Sequence, residues 1–221
     1  NALIINLALP AVSFKYLPHM QWNKAMVLPA VMPVIVWLSG WLYIRVYASK
    51  AKLDKPTESG LKLVTGLSNT SFVGFPLVAA YFSDSALGIA VICDQVSFIL
   101  LATAGIVVAM NASEQHTLSA ALVAKKVFLF PPFIACIAAL TLPLFVDLSP
   151  LDPLFDKLAA TVAPLALFSI GLQMKFNGWR QQFRHITVSL LYKLVLAPLL
   201  IYGVALIFGM RGIIPQISVF E

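Results

Sequence analysis

The sequence predicts an all-α integral membrane protein built as a bundle of many helical spans. Three observations predict it. Of 221 residues, 60% are hydrophobic and only 11% are charged, where a soluble domain carries roughly 25% charged residues. The mean hydropathy of +0.91 means more apolar surface than a soluble core of this length can hide. The apolar residues also come in runs near the length of about 20 that crosses roughly 30 Å of hydrocarbon. That ruler places spans at 1–17, 25–48, 60–82, 86–110, 122–147, 152–174 and 186–209, with the start of another at 212–221. The connections are short, so residues 1–221 are expected to form a single transmembrane domain. The chain begins already apolar at Asn1 and ends at Glu221 within an apolar run, a pattern expected of a chain truncated at both ends. No basic stretch precedes the first run, as a signal peptide would require.

The loops between spans carry the charge. A net charge of +6 raises the question of nucleic acid, but the basic residues do not alternate with aromatics on one face; no nucleic-acid partner is expected. They follow the positive-inside pattern instead. With loop 49–59 cytoplasmic, the inner side holds Arg45, Lys50, Lys52, Lys55, Lys62, Lys125, Lys126, Lys175, Arg180, Arg184 and Lys193, against Lys15, Lys24, Lys157 and Arg211 outside. The bilayer is therefore the first partner, and a bacterial inner (plasma) membrane is the expected location. Cys93 and Cys136 both fall inside spans and read as small buried hydrophobes rather than a disulfide.

The first span carries Asn6 near Pro10, and the second carries Pro29 and Pro33. The third is unlike the rest. Its stretch SNTSFVGFP (68–76) packs Ser68, Asn69, Thr70, Ser71, Gly74 and Pro76 into the middle of a span. Pro76 lacks an N–H and clashes with the carbonyl of Phe72, and Gly74 lets the backbone leave helical geometry. Together they predict about one unwound turn, tolerable at that depth only beside protein or a water-filled cavity. The half-helix that follows presents free N–H groups, which suit an anion, and Asn69 and Thr70 add side-chain donors. The plainer alternative is a proline kink whose polar side chains bond back to the helix.

The fourth span contains Cys93-Asp94-Gln95. Asp94 lies about 12 Å into the membrane by helical rise, where a carboxylate costs roughly 2.5–3.5 kcal/mol and normally faces a cavity or a partner. It reads as a coupling or cavity-lining carboxylate, with Gln95 beside it as a substrate contact and Ser97 on its face; a structural helix–helix hydrogen bond is the alternative. Asn6 either lines the same cavity or bonds across helices. Lys193 in the seventh span can snorkel to the interface or contact an anion, and Gln173 belongs to the inner interface. His19, His116 and His185 lie in loops without metal-ligand spacing, and no nucleotide-binding or hydrolase motif occurs. No catalytic residue, metal or cofactor is expected, so the protein does not read as an enzyme.

An internal repeat runs through the spans. NLALPAVSF (6–14) resembles TVAPLALFSIG (161–171), and each is followed by a span with proline near its start. The two segments run in opposite directions across the membrane, which suggests inverted repeats as in secondary transporters.

SNTSFVGFP with CDQ (93–95), NLALPAVSF, APLALFSIGLQM (163–174) and KLVLAPLL (193–200), in this order, resemble the auxin efflux carrier family over nearly the whole chain. That family includes plant auxin exporters and bacterial permeases for malonate, malate and related carboxylates. The resemblance implies ten helices in two inverted repeats, with two broken helices crossing at the centre, similar to sodium/proton antiporters and bile-acid symporters. On that pattern the chain covers helices two to eight and the start of nine. It maps Asn69, Thr70, Gly74 and Pro76 onto the first crossing, where substrate binds, and Asp94 and Gln95 onto a helix lining it. Only Asn111 to Ala121 stands where some plant members carry a long loop, which favours the short bacterial type. The expected function is a secondary transporter of small organic anions by alternating access, coupled to protons, sodium or neither, with a homodimer left open. The alternative is a seven-span sensor or receptor component without transport.

Overall fold

The computed structural model describes residues 2–20, 22–83, 86–113, 124–125, 127–174, 180 and 182–221. Among these residues the chain is helical, with no strand. The helices are α1 (Ile4–Tyr16), α2 (Lys24–Ala51), α3 (Lys55–Gly66), α4 (Thr70–Tyr81), α5 (Leu87–Met110), α6 (Pro131–Leu144), α7 (Ser149–Gln173), α8 (Phe183–Ile207) and α9 (Ile213–Phe220). Four of them, α2, α5, α7 and α8, are long and apolar enough to cross a bilayer, and α3 with α4 passes the same test as a pair bent by 40°. This is an all-α membrane protein.

Where the helices are shorter than the apolar runs, proline is the reason. The run at 122–147 is interrupted: residues 124, 125, 127 and 128 are helical, and α6 starts afresh at Pro131 because Phe130 is held extended (φ −73°, ψ 119°) ahead of a double proline, as the residue before proline is. Its last turn tightens to 3₁₀ over Leu142–Leu144, around Pro143. Residues 122, 123 and 126 of that run lie outside the described residues, as do His116 and Lys175.

Proline also leaves a mark inside the helices. Among the described residues, π turns occupy Ile4–Ala8, Thr70–Gly74, Leu101–Gly105 and Tyr192–Leu196. The first, second and fourth each end two residues before a proline, namely Pro10, Pro76 and Pro198. A proline supplies no N–H and pushes away the carbonyl four residues back, and widening the preceding turn accommodates both without ending the helix.

In lipid, burying one more apolar side chain gains little, so helix association rests on close packing and interhelical hydrogen bonds. The main core joins α1 (Ala8, Val12), α4 (Phe75, Val78), α5 (Ala90, Val91), α7 (Val162, Ala166) and α9 (Ile217). A second patch joins α2, α5 and α8 through Met32, Cys93 and Ile201. Gly40 and Gly66 let α2 and α3 touch: a Cβ on Gly40 would lie 3.2 Å from the Gly66 Cα. Polar clasps complete this corner. Thr65 donates to Ser189 at 2.8 Å, and the Tyr192 hydroxyl lies 2.6 Å from both the Ser39 hydroxyl and the Val36 carbonyl. Bonds of this kind contribute about 0.6–2 kcal/mol each. The outer faces of α7 and α8 present Leu167, Phe168, Leu172, Leu194, Leu199 and Leu206 outward, as lipid-facing surfaces do.

Candidate functional site

The site forms where α3 gives way to α4. Leu67 leaves the helix in an extended conformation (φ −111°, ψ 133°), and Asn69 (φ −95°, ψ 72°) starts the next one. Asn69 is the N-cap of α4, its Oδ1 accepting from the Phe72 N–H at 3.2 Å. The unwound residues are therefore 67–69, upstream of the Gly74–Pro76 pair that the sequence points to. Pro76 is absorbed within α4, where the Phe75 N–H reaches back to the Thr70 carbonyl in the π turn. Gly74 has a different use. A Cβ there would stand 2.4 and 2.6 Å from the two carboxyl oxygens of Glu221, so glycine leaves room for that side chain where it lies.

Asp94 meets this turn from α5. It is 5% exposed, and its Oδ1 accepts from the Thr70 hydroxyl at 2.5 Å and from the Ser71 hydroxyl. An aspartate this deep is expected to have a partner, and its partners belong to the broken helix. It thereby fixes the position of the α4 start.

A cavity of about 660 Å³ opens at the break. Its wall includes Pro33 and Val36 of α2, the linker residues Leu67, Ser68 and Asn69, Thr70 and Gly74 of α4, Ser97 of α5, Lys193 and Pro198 of α8, and Glu221 beyond α9. Lys193 is half-buried and donates to the Leu67 carbonyl at 2.7 Å. A second, smaller cavity of about 370 Å³ is bounded by Asn69, Phe72, Ile170, Gln173 and Met174. Asn69 borders both, with its amide nitrogen left over from capping.

The residues named from the sequence divide accordingly. Asn69, Thr70 and Gly74 line the large cavity, and Asp94 is joined to it through Thr70. Pro76 is buried in the core rather than at the cavity wall. Gln95 is buried outside the cavity lining, its Oε1 without a partner among the described residues. Asn6 is not brought there: it sits exposed on α1 and donates to the Ala2 carbonyl at 2.9 Å. Bonding back one turn satisfies its amide locally, so nothing pulls it across to a neighbour. Two cavity residues carry more than the sequence suggested. Lys193 turns inward instead of snorkelling; its signal is a cation within an apolar run five residues before a proline. Glu221 went unremarked, although it is the one carboxylate in the apolar run 212–221.

The cavity thus offers one ammonium and one amide donor beside one carboxyl group, within a volume suited to a small organic molecule. Comparison with known proteins points the same way. The chain matches the family described as membrane transport protein over residues 1–220. It is 23% identical to an uncharacterized transporter of Methanothermobacter thermautotrophicus, over all of this chain and 73% of that protein. It is 22% identical to an uncharacterized transporter of Methanocaldococcus jannaschii, again over all of this chain and 74% of the relative. No solved structure matches the chain.

Proposed function

The chain belongs to the membrane transport protein family, of the auxin efflux carrier type, and from that premise we propose that it is a secondary transporter of small organic anions. The substrate class is carboxylates, malonate- and malate-like or auxin-like, moved by alternating access across a prokaryotic plasma membrane. The observation that carries this reading is Lys193. A lysine turned into a membrane-embedded cavity, beside an unwound span, gives an anion a desolvated positive contact. Asn69 supplies a second, neutral donor and borders both cavities, so an anion passing from one to the other would keep this contact. Val36, Pro33 and Leu67 give the carbon skeleton an apolar wall.

Thermal unfolding of the intact purified protein, with a panel of mono- and dicarboxylates, tests the binding step. A ligand that binds only the folded state raises the midpoint, by about 2.7 kcal/mol of stability at a hundredfold excess over Kd. The expected result is a rise with one or more carboxylates and none with matched amines. The rise should be lost in Lys193→Met. Equal responses to anions and cations, or a rise that survives the substitution, would overturn the anion assignment.

A further inference from the structure

Glu221 and Asp94 approach the same π turn from different helices. The Glu221 carboxyl group fills the space that Gly74 leaves at one end of Thr70–Gly74, and Asp94 holds Thr70 and Ser71 at the other. Both carboxyl groups thus bear on the same five-residue turn. Their surroundings are unequal. Asp94 Oδ1 takes two hydroxyl donors, which compensate a negative charge. Both oxygens of Glu221 are shut away from solvent and accept no hydrogen bond among the described residues. A bare buried carboxylate costs several kcal/mol, and two neighbouring carboxylates cannot both ionise without a cation between them.

Other charged and titratable groups around Glu221 do not relieve it. Cys93 of α5 is a buried neutral thiol neighbour. Lys193 shares the cavity and donates to the Leu67 carbonyl, but it makes no hydrogen bond to Glu221. Of the remaining helices packed on α9, α8 contributes Arg184 and His185 at its start, Tyr192, which bonds to the Val36 carbonyl, and Tyr202, which is exposed. α2 contributes Lys24 at its start and Tyr43, Arg45, Tyr47 and Lys50 in its cytoplasmic half.

We propose that Glu221, paired with Asp94, is a proton-binding site that couples anion movement to proton movement. The coupling rests on the anion-transport reading above; the proton site itself does not. The step is simple. A proton from water on one side forms an O–H bond on Glu221, leaving Asp94 charged and held by Thr70 and Ser71. The cavity wall then carries the positive Lys193 and a neutral Glu221, with the Asp94 charge behind Thr70, and it accepts an anion beside Lys193 without a carboxylate in the wall opposing it. On the other side the anion leaves, the O–H bond breaks, and the proton returns to water. Proton and anion each strengthen the other's binding by the same factor, so anion affinity falls as pH rises through the titration of Glu221.

Two measurements on the intact protein test this. Infrared difference spectra between neutral and alkaline pH, without substrate, should contain the C=O stretch of a protonated carboxylic acid, and Glu221→Gln should remove it. In vesicles, with one proton per anion, an inward gradient of one pH unit should raise steady-state accumulation of labelled malonate or malate about tenfold. A sodium gradient should not. Uptake by Glu221→Gln, whatever its absolute rate, should ignore the pH gradient. Absence of the carboxylic band from the wild-type protein, or its persistence in Glu221→Gln, overturns the proton site, and so does accumulation driven by sodium alone. A band that behaves as expected in a protein that moves no anion upholds the proton site and removes the transport reading instead. The wild-type spectrum and gradient response decide the matter even if the variant does not fold.

Discussion

At Leu67 the chain leaves α3 with a carbonyl beyond the reach of helical N–H groups, and Lys193 of α8 supplies the donor at 2.7 Å. The same ammonium faces the cavity, so Lys193→Met should weaken carboxylate binding by about 10- to 100-fold, the range of a charge-assisted bond of about 1.5–3 kcal/mol. Equilibrium binding of a labelled dicarboxylate measures it. Asn69 has two duties that substitution can separate. Asn69→Ser keeps an oxygen to cap α4 and loses the amide donor, so stability should hold while anion affinity drops. Asn69→Ala loses both, with a further cost of about 1 kcal/mol for the cap, read as a lower unfolding midpoint. Gly74→Ala places a methyl group where the Glu221 carboxyl group sits, so that flexible side chain must move aside, at a cost of about 1 kcal/mol, the low end for overpacking. Calorimetry of the purified variant checks that expectation. Asn69, Thr70 and Asp94 were legible because polar side chains in the middle of apolar runs stand out. Lys193 stood open between snorkelling and an anion contact, and Glu221 was not legible, because their significance lies in what they meet: Leu67 is 126 residues from Lys193 in the chain, and no local pattern announces such a contact.

Proline explains both what the sequence conveyed about the helices and what it concealed. Gly74 and Pro76 signalled a broken span, and the span is bent. The unwinding nevertheless falls at 67–69, where the Asn69 cap, the Gly66–Trp37 contact and the Lys193 bond to Leu67 all act. Proline alone needs only a wider turn, as the π turns before Pro10 and Pro198 in unbroken helices demonstrate. A direct expectation follows for Pro76→Ala: the π turn at Thr70–Gly74 should tighten while the break at 67–69 persists. Hydrogen exchange resolved by residue would register slower exchange after Thr70 with Leu67 to Asn69 unchanged. Disappearance of the break in this variant would return the cause to Pro76. The limits of α6 were similarly hidden. Hydropathy is continuous across Phe130, and only the double proline beside it marks the start of the helix.

For the whole molecule, composition sufficed to establish a helical membrane protein, since lipid-facing and core-facing surfaces here are equally apolar. It did not reveal how the helices assemble around the break, because in lipid that arrangement depends on small-residue contacts such as Gly40 with Gly66 and on single polar bonds. The proposed pair of inverted repeats belongs to this scale, as does the use of the two cavities beside Asn69 as alternating routes of access. Both lead to one claim, that an organic anion crosses the membrane through the cavity that Lys193 faces. The most direct test is uptake of labelled malonate and malate into vesicles containing the intact protein, compared with Lys193→Met and with protein-free vesicles. Saturable uptake is expected of the wild-type protein, inhibited by unlabelled carboxylates and reduced at least about tenfold at low substrate in Lys193→Met. Uptake no greater than in protein-free vesicles for every carboxylate tried, or uptake equal in the two proteins, would contradict it.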